Sequence, residues 1–296
     1  MKSGRNHFSP QAEKVEKANE PAAWNRDWRW LSRTPPLMEA SPLPDWLVEA
    51  LSGPLRETAP LHRFFEGRSH HRVGLYTEAL MAAALEGAEA IEEVRHGIPV
   101  RDEIRTIGEL DFLFRHRDLL YHLELAVKFY LHDPATTGLG SHFVGPNRGD
   151  TFERKATRLL EHQLPLGRRA FPEVERSFLL CTGLIFYRLG ESPPSTLPAH
   201  LSPDHGRGLW TTSGEFPDWV ADRKPGARAA ILGKPFWLGA DPDRAISGIV
   251  PEVEEHFSRT RYPLLLAWDE GEGEDSPPGR RLFVVPDDWS KSDAES

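Results

Sequence analysis

Two residue runs on either side of a short polar turn constrain this chain more than any other feature. From Ile107 to Arg115, and again from Leu119 to Leu131, side chains follow a two-residue alternation, interrupted around residues 116–118. A period of two specifies extended strand, and two such runs joined by a turn specify a β-hairpin. In the second run His122, Glu124, Ala126 and Lys128 share one face, while Leu123, Leu125, Val127 and Phe129 share the other. A two-residue turn at Arg117-Asp118 sets Asp111 opposite Glu124 on the same side, with Cβ atoms about 5 Å apart.

Opposed carboxylates repel, which weakens a sheet unless a cation neutralises them. Hard divalent ions such as Mg2+ or Mn2+ suit that task, because they favour carboxylate oxygen and retain waters. Lys128 adds a positive charge further along the same face. A carboxylate pair, an ion and a nearby cation are the parts that metal-assisted phosphodiester hydrolysis needs. Glu78 lies within an apolar helical stripe formed by Leu75, Ala79, Ala82 and Leu85, and is a further candidate ligand. The bland alternative is a cross-strand cluster of salt bridges on a solvated face. His122 reads as a packed or hydrogen-bonded histidine.

The rest of the chain predicts helices at Trp24–Leu31, Asp45–Leu51, Val73–Leu85 and Thr151–Leu164, the last capped by Asp150. A weaker strand is expected near Ile98–Ile104, and a buried one at Phe178–Tyr187. Gly190 to about Gly226 reads as irregular. Beyond it come strands at Ala229–Leu232, Pro263–Trp268 and Leu282–Val285, with a helix near Pro251–Ser258. The fold class is therefore α/β, a mixed central sheet flanked by helices, with a β-rich C-terminal extension. The expected divisions are a tail at 1–23, a helical lead-in at 24–70, a core at 71–189, an extension at 190–290 packed on that core, and a tail at 291–296. On the later helix Lys155, Arg158 and His162 share one side with Gln163 at its edge, either a solvated face or a ridge contacting phosphate. The pair His70-His71 reads as surface, and Gly138-Leu139-Gly140 lacks the lysine of a nucleotide loop.

One cysteine in 296 residues excludes an internal disulfide, and neither an apolar leader nor a membrane-length run is present. A cytoplasmic protein without a membrane partner is expected. The net charge of −9 argues against strong non-specific binding to nucleic acid. It is unevenly spread, however. Residues 269–296 carry nine acids against three bases, whereas residues 148–176 carry seven bases against five acids.

A helix bearing Glu78, a hairpin bearing Asp111, Glu124 and Lys128, then a helix and a strand, resembles the core of PD-(D/E)XK nucleases. The phrases Gly108-Glu109-Leu110-Asp111 and His122-Leu123-Glu124, followed by Lys128, are similar to the pattern of the resolvase-like members. The resemblance implies a restriction-endonuclease-like core and a Mg2+- or Mn2+-dependent endonuclease acting on DNA. Asp111, Glu124 and Lys128 would be catalytic, with Glu78, Asp111 and Glu124 as metal ligands. Here the acid and lysine are four apart, with Ala126 at the position where the usual pattern has the lysine. The lysine thus keeps its face but moves roughly 6–7 Å along the strand. A non-cutting member that binds nucleic acid or protein is the alternative. The whole chain also resembles the bacterial domain-of-unknown-function family DUF1853, through Arg26-Asp27-Trp28-Arg29-Trp30, Gly145-Pro146-Asn147, Lys155, Gln163 and the closing Val285-Pro286-Asp287-Asp288-Trp289.

Overall fold

The computed structural model describes residues 21–66, 72–135, 141–223, 227–240, 248–269 and 280–291. The His70-His71 pair, Gly138-Leu139-Gly140 and most of the two predicted tails lie outside them. The lead-in forms α1 (Pro21–Arg33), α2 (Asp45–Ala50) and α3 (Ala59–Glu66), followed by α4 (Val73–Glu86). Helix α1 starts three residues before the expected position, and α3 forms where no helix is expected. Helix α4 is buried without a break from Leu80 to Leu85, as a helix that is apolar all round must be.

Strands β1 (Glu92–Arg101), β2 (Thr106–His116) and β3 (Leu119–His132) form an antiparallel meander. Arg117 and Asp118 both have positive φ, 49° and 65°. That is the mark of a two-residue type I′ turn, whose twist matches the hairpin. The rungs from Phe112↔Leu123 to His116↔Leu119 follow the register expected from that turn. After the short β4 (Phe143–Val144), the chain crosses over through α5 (Phe152–Arg158), a π turn (Leu159–Gln163) and α6 (Leu164–Ala170). It returns as β5 (Val174–Arg188), which runs parallel to β3 along twelve rungs.

The region expected to be irregular contains β6 (Arg207–Thr212) and α7 (Phe216–Ala221). The alternation in β6 is short and sits among Pro and Gly residues, so it carries little sequence signal; its place is set by β5 and β9, which pair with it on either side. The last elements are β7 (Arg228–Leu232), α8 (Val250–Arg259), β8 (Leu264–Asp269) and β9 (Arg280–Val285). These strands continue the same mixed sheet, in the order β1-β2-β3-β5-β6-β9-β8-β7, with β4 on β3. Helices α1–α4 pack on one face through Trp24, Leu80, Phe112, Leu123 and Phe186. Phe152, Ala156 and Leu159 cover the other face over Ala126, Leu179 and Cys181. No helix among the described residues is long and apolar enough to cross a membrane.

Buried polar contacts tie distant segments together. Asp27 on α1 accepts from the Tyr76 hydroxyl and the Gly239 amide, both at 2.6 Å. Burial pushes its carboxyl up to about 6, against the lowering effect of those two hydrogen bonds. The indole of Trp289 donates to the Pro146 carbonyl at 2.7 Å, joining the end of the chain to the loop before α5.

Candidate functional site

Beyond the Phe112↔Leu123 rung, β2 leaves β3 while remaining paired with β1 through Ile98↔Leu110 and Pro99↔Glu109. At this fork the Leu125 amide donates to Asp111 Oδ2 at 2.8 Å, so a carboxylate takes the place of a strand carbonyl. The parting of the strands explains how groups from both sheet faces reach one site. Glu78 approaches from α4, whereas Lys155 and Gln163 approach from the crossover.

Glu124 is fully buried. Its Oε1 lies 2.9 Å from His122 Nε2, and His122 Nδ1 lies 3.0 Å from Ser177 Oγ. A proton on Nε2 donates to the carboxylate, and Nδ1 then accepts from the serine hydroxyl. His122 is the hydrogen-bonded, buried histidine expected from sequence. Gln163 Nε2 donates to Glu124 Oε2 at 2.9 Å, while Lys155 Nζ donates to Gln163 Oε1 at 3.1 Å. Five side chains from β3, β5, α5 and the π turn thus form one chain around a single carboxylate.

The π turn makes that chain possible. Eight residues of regular α-helix would leave Lys155 and Gln163 roughly 80° apart around the axis. A wider turn takes up most of that angle, and such turns recur at functional sites. Gly167, one turn further on, is required by close approach: a Cβ there would lie 2.3 Å from His122 Nδ1.

The electrostatics of the fork disfavour negative charge on its acids. Burial, then Glu109 and Glu124, push the Glu78 carboxyl up to about 7. Burial, then Glu124, hold Asp111 well above the usual carboxylate range; Glu78 adds to the rise, and the Leu125 amide and Lys155 oppose it. Burial, then Lys128, lower Lys155. Asp111 thus feels Glu78, Glu124 and Lys155, while Gln163 joins Lys155 to Glu124.

Lys128 stands apart. Its ammonium pairs with Asp150 Oδ2 at 3.0 Å, and Asp150 also receives the Thr151 amide and faces Arg154. Thr151, not Asp150, caps α5. Arg158 and His162 remain exposed on the crossover while Lys155 turns inward. The link from Lys155 through Gln163 to Glu124 was not legible from α-helical spacing.

Among the described residues no group of three His, Cys, Asp or Glu is arranged to hold a metal ion. Both Glu124 oxygens and one Asp111 oxygen are occupied by hydrogen bonds. The donor chemistry nevertheless suits a hard cation: Glu78 and Asp111 are each raised in part by the charge of Glu124, and Lys155 is the cation felt at Asp111. A cavity of about 420 Å3 beside Trp46 and His116 includes none of these carboxylates.

No curated protein and no solved structure matches the chain. One family model does, over residues 26–285, a span that reaches from the Arg26-Asp27 pair through the fork to the end of β9. The chain belongs to the family described as Domain of unknown function (DUF1853).

Proposed function

We propose that this protein is a Mg2+- or Mn2+-dependent endonuclease hydrolysing phosphodiester bonds of DNA. The observation that carries the reading is the gathering of Glu78, Asp111 and Glu124 at the fork, with Lys155 turned toward them. The order of a helix, an antiparallel three-strand meander, a crossover helix and a parallel strand supports it, because a restriction-endonuclease-like core is expected to have that order.

Glu78, Asp111 and Glu124 would hold the ion. When bound, it supplies positive charge to the carboxylates and to the phosphate under attack. His122 and Gln163 fix the Glu124 carboxylate, so its oxygens need no reorientation. Lys155 projects from α5 toward the same fork, covering for Ala126 at the position where the usual lysine is missing. Its lowered proton affinity equips it to take up or return a proton beside the reacting phosphate. Lys128 acts further out, on the phosphate backbone.

A second reading, a nuclease-fold module that binds nucleic acid without cutting it, is favoured by one observation. The sequence-predicted lysine, Lys128, is engaged by Asp150 instead of by the carboxylates. The deciding experiment incubates plasmid, linear, single-stranded and branched DNA with Mg2+ or Mn2+, using wild type, Asp111→Asn and Lys155→Ala. Cleavage by wild type alone is expected. DNA binding without cleavage selects the second reading, and neither activity overturns both.

A further inference from the structure

Where β3 nears its end, a second cavity of about 250 Å3 is lined by Arg72, Val73, Val127, Lys128, Phe129, Pro146, Lys234 and Trp237. Among the described residues that line it, three are cationic and none is a carboxylate. Arg72 is exposed at the start of α4. The Lys234 ammonium lies over the Trp237 ring, 4.6 Å from its centroid. Desolvation there holds Lys234 below the ordinary lysine range. Lys128 is paired at its outer edge with Asp150, but Arg154 faces the same carboxylate and shares it.

A concave site with several cations and an apolar floor selects a compact anion over a neutral ligand. Its position adds the identity of that anion. Val73 is five residues before Glu78 on α4, roughly 7–8 Å along the helix axis. Lys128 is four residues beyond Glu124 on β3, roughly 13 Å along the strand. The cavity and the carboxylate fork therefore share two elements, α4 and β3, at a separation that a few successive phosphates of one backbone can span.

We propose that this cavity seats a phosphate group of the bound nucleic-acid strand, offset from the phosphate presented to Glu78, Asp111 and Glu124. The proposal rests on the nuclease-fold reading for the source of the phosphate, and on the cavity itself for the chemistry. The cations at 72, 128 and 234 grip the backbone and read no base. Their task is to register the strand so that a chosen linkage lies at the fork.

The test uses the full chain in EDTA, so that binding is measured without metal or cleavage. Fluorescence anisotropy follows a labelled single-stranded oligonucleotide and a labelled duplex across a salt series, for wild type, Arg72→Gln and Lys234→Gln. Thermal shift with inorganic pyrophosphate is run on the same three proteins. Arg72 is exposed, so its variant keeps the test valid if Lys234→Gln perturbs packing on Trp237. The expected result is several-fold weaker DNA binding by each variant. For the single strand, the slope of log K against log salt should become shallower by about 0.7 per lost contact. Equal DNA binding by wild type and both variants overturns the phosphate site and leaves the nuclease reading intact. A pyrophosphate shift that both variants abolish, with no DNA binding by wild type, keeps the phosphate site and overturns its nucleic-acid source. Neither DNA binding nor a pyrophosphate shift overturns both.

Discussion

The amide of Gln163 donates to Glu124 at 2.9 Å while its own oxygen accepts from Lys155, so one neutral side chain couples a buried acid to a nearby base. Gln163→Leu removes both bonds and leaves a fully buried carboxylate with one partner fewer. A buried group stripped of a partner costs about 1–3 kcal/mol. The expected outcome is that loss in urea unfolding, together with at least ten-fold slower DNA cleavage. Full activity in Gln163→Leu would show that Glu124 needs no such support.

The two lysines separate by position. Lys155→Ala removes the cation felt at Asp111, and cleavage should fall by about 10^2-fold or more, the range for loss of one transition-state charge contact. Lys128→Ala breaks an ion pair with Asp150 and should cost less than ten-fold in kcat, appearing mainly in KM. Plasmid nicking under single-turnover conditions measures both. The reverse ranking would return the catalytic role to the strand lysine.

Glu78 and Asp111 predict a pH signature in metal-free protein. Both are held above their unfolded values, so folding is favoured while they are protonated. That advantage is lost as pH rises from about 4.5 through about 7 for Glu78. Stability measured by urea should therefore fall across this window, by on the order of 1 kcal/mol after solvent screening. Glu78→Gln should flatten the curve, and saturating Mg2+ or Mn2+ should restore stability above pH 7. A flat wild-type curve that neither ion moves would remove the carboxylate cluster as a cation site.

Gly167→Ala tests the close packing of α6 on β3. The added methyl would meet the His122 ring, itself fully buried and bonded to Glu124. Overpacking of this kind costs about 1–3 kcal/mol. The expected result is a lower urea midpoint with an unchanged slope, and slower cleavage through displacement of His122. Wild-type stability would mean that the helix yields without disturbing the histidine.

The hairpin was legible because two local signals agree: alternation on two runs and a polar interruption between them. Its register followed from the turn, which put Asp111 and Glu124 on one side before any packing was known. The π turn was not legible, since helical periodicity assumes a constant angle per residue. Its displacement of Gln163 is decided by contact with Glu124 across the sheet. The motif residues Asp27 and Trp289 could be recognised in sequence, but not what they hold. One gathers α4 and the loop at Gly239, and the other takes the carbonyl of Pro146.

Strand β3 pairs with β2 of its own hairpin, with the short β4 near its end, and with β5, whose first residue follows its last by more than forty positions. The two carboxylates can meet as soon as the hairpin closes, but His122 and Glu124 are buried only when the crossover and β5 arrive. A chain ending before Val174 would therefore hold the hairpin carboxylates without Ser177 and without the strand that lies beside His122 and Glu124.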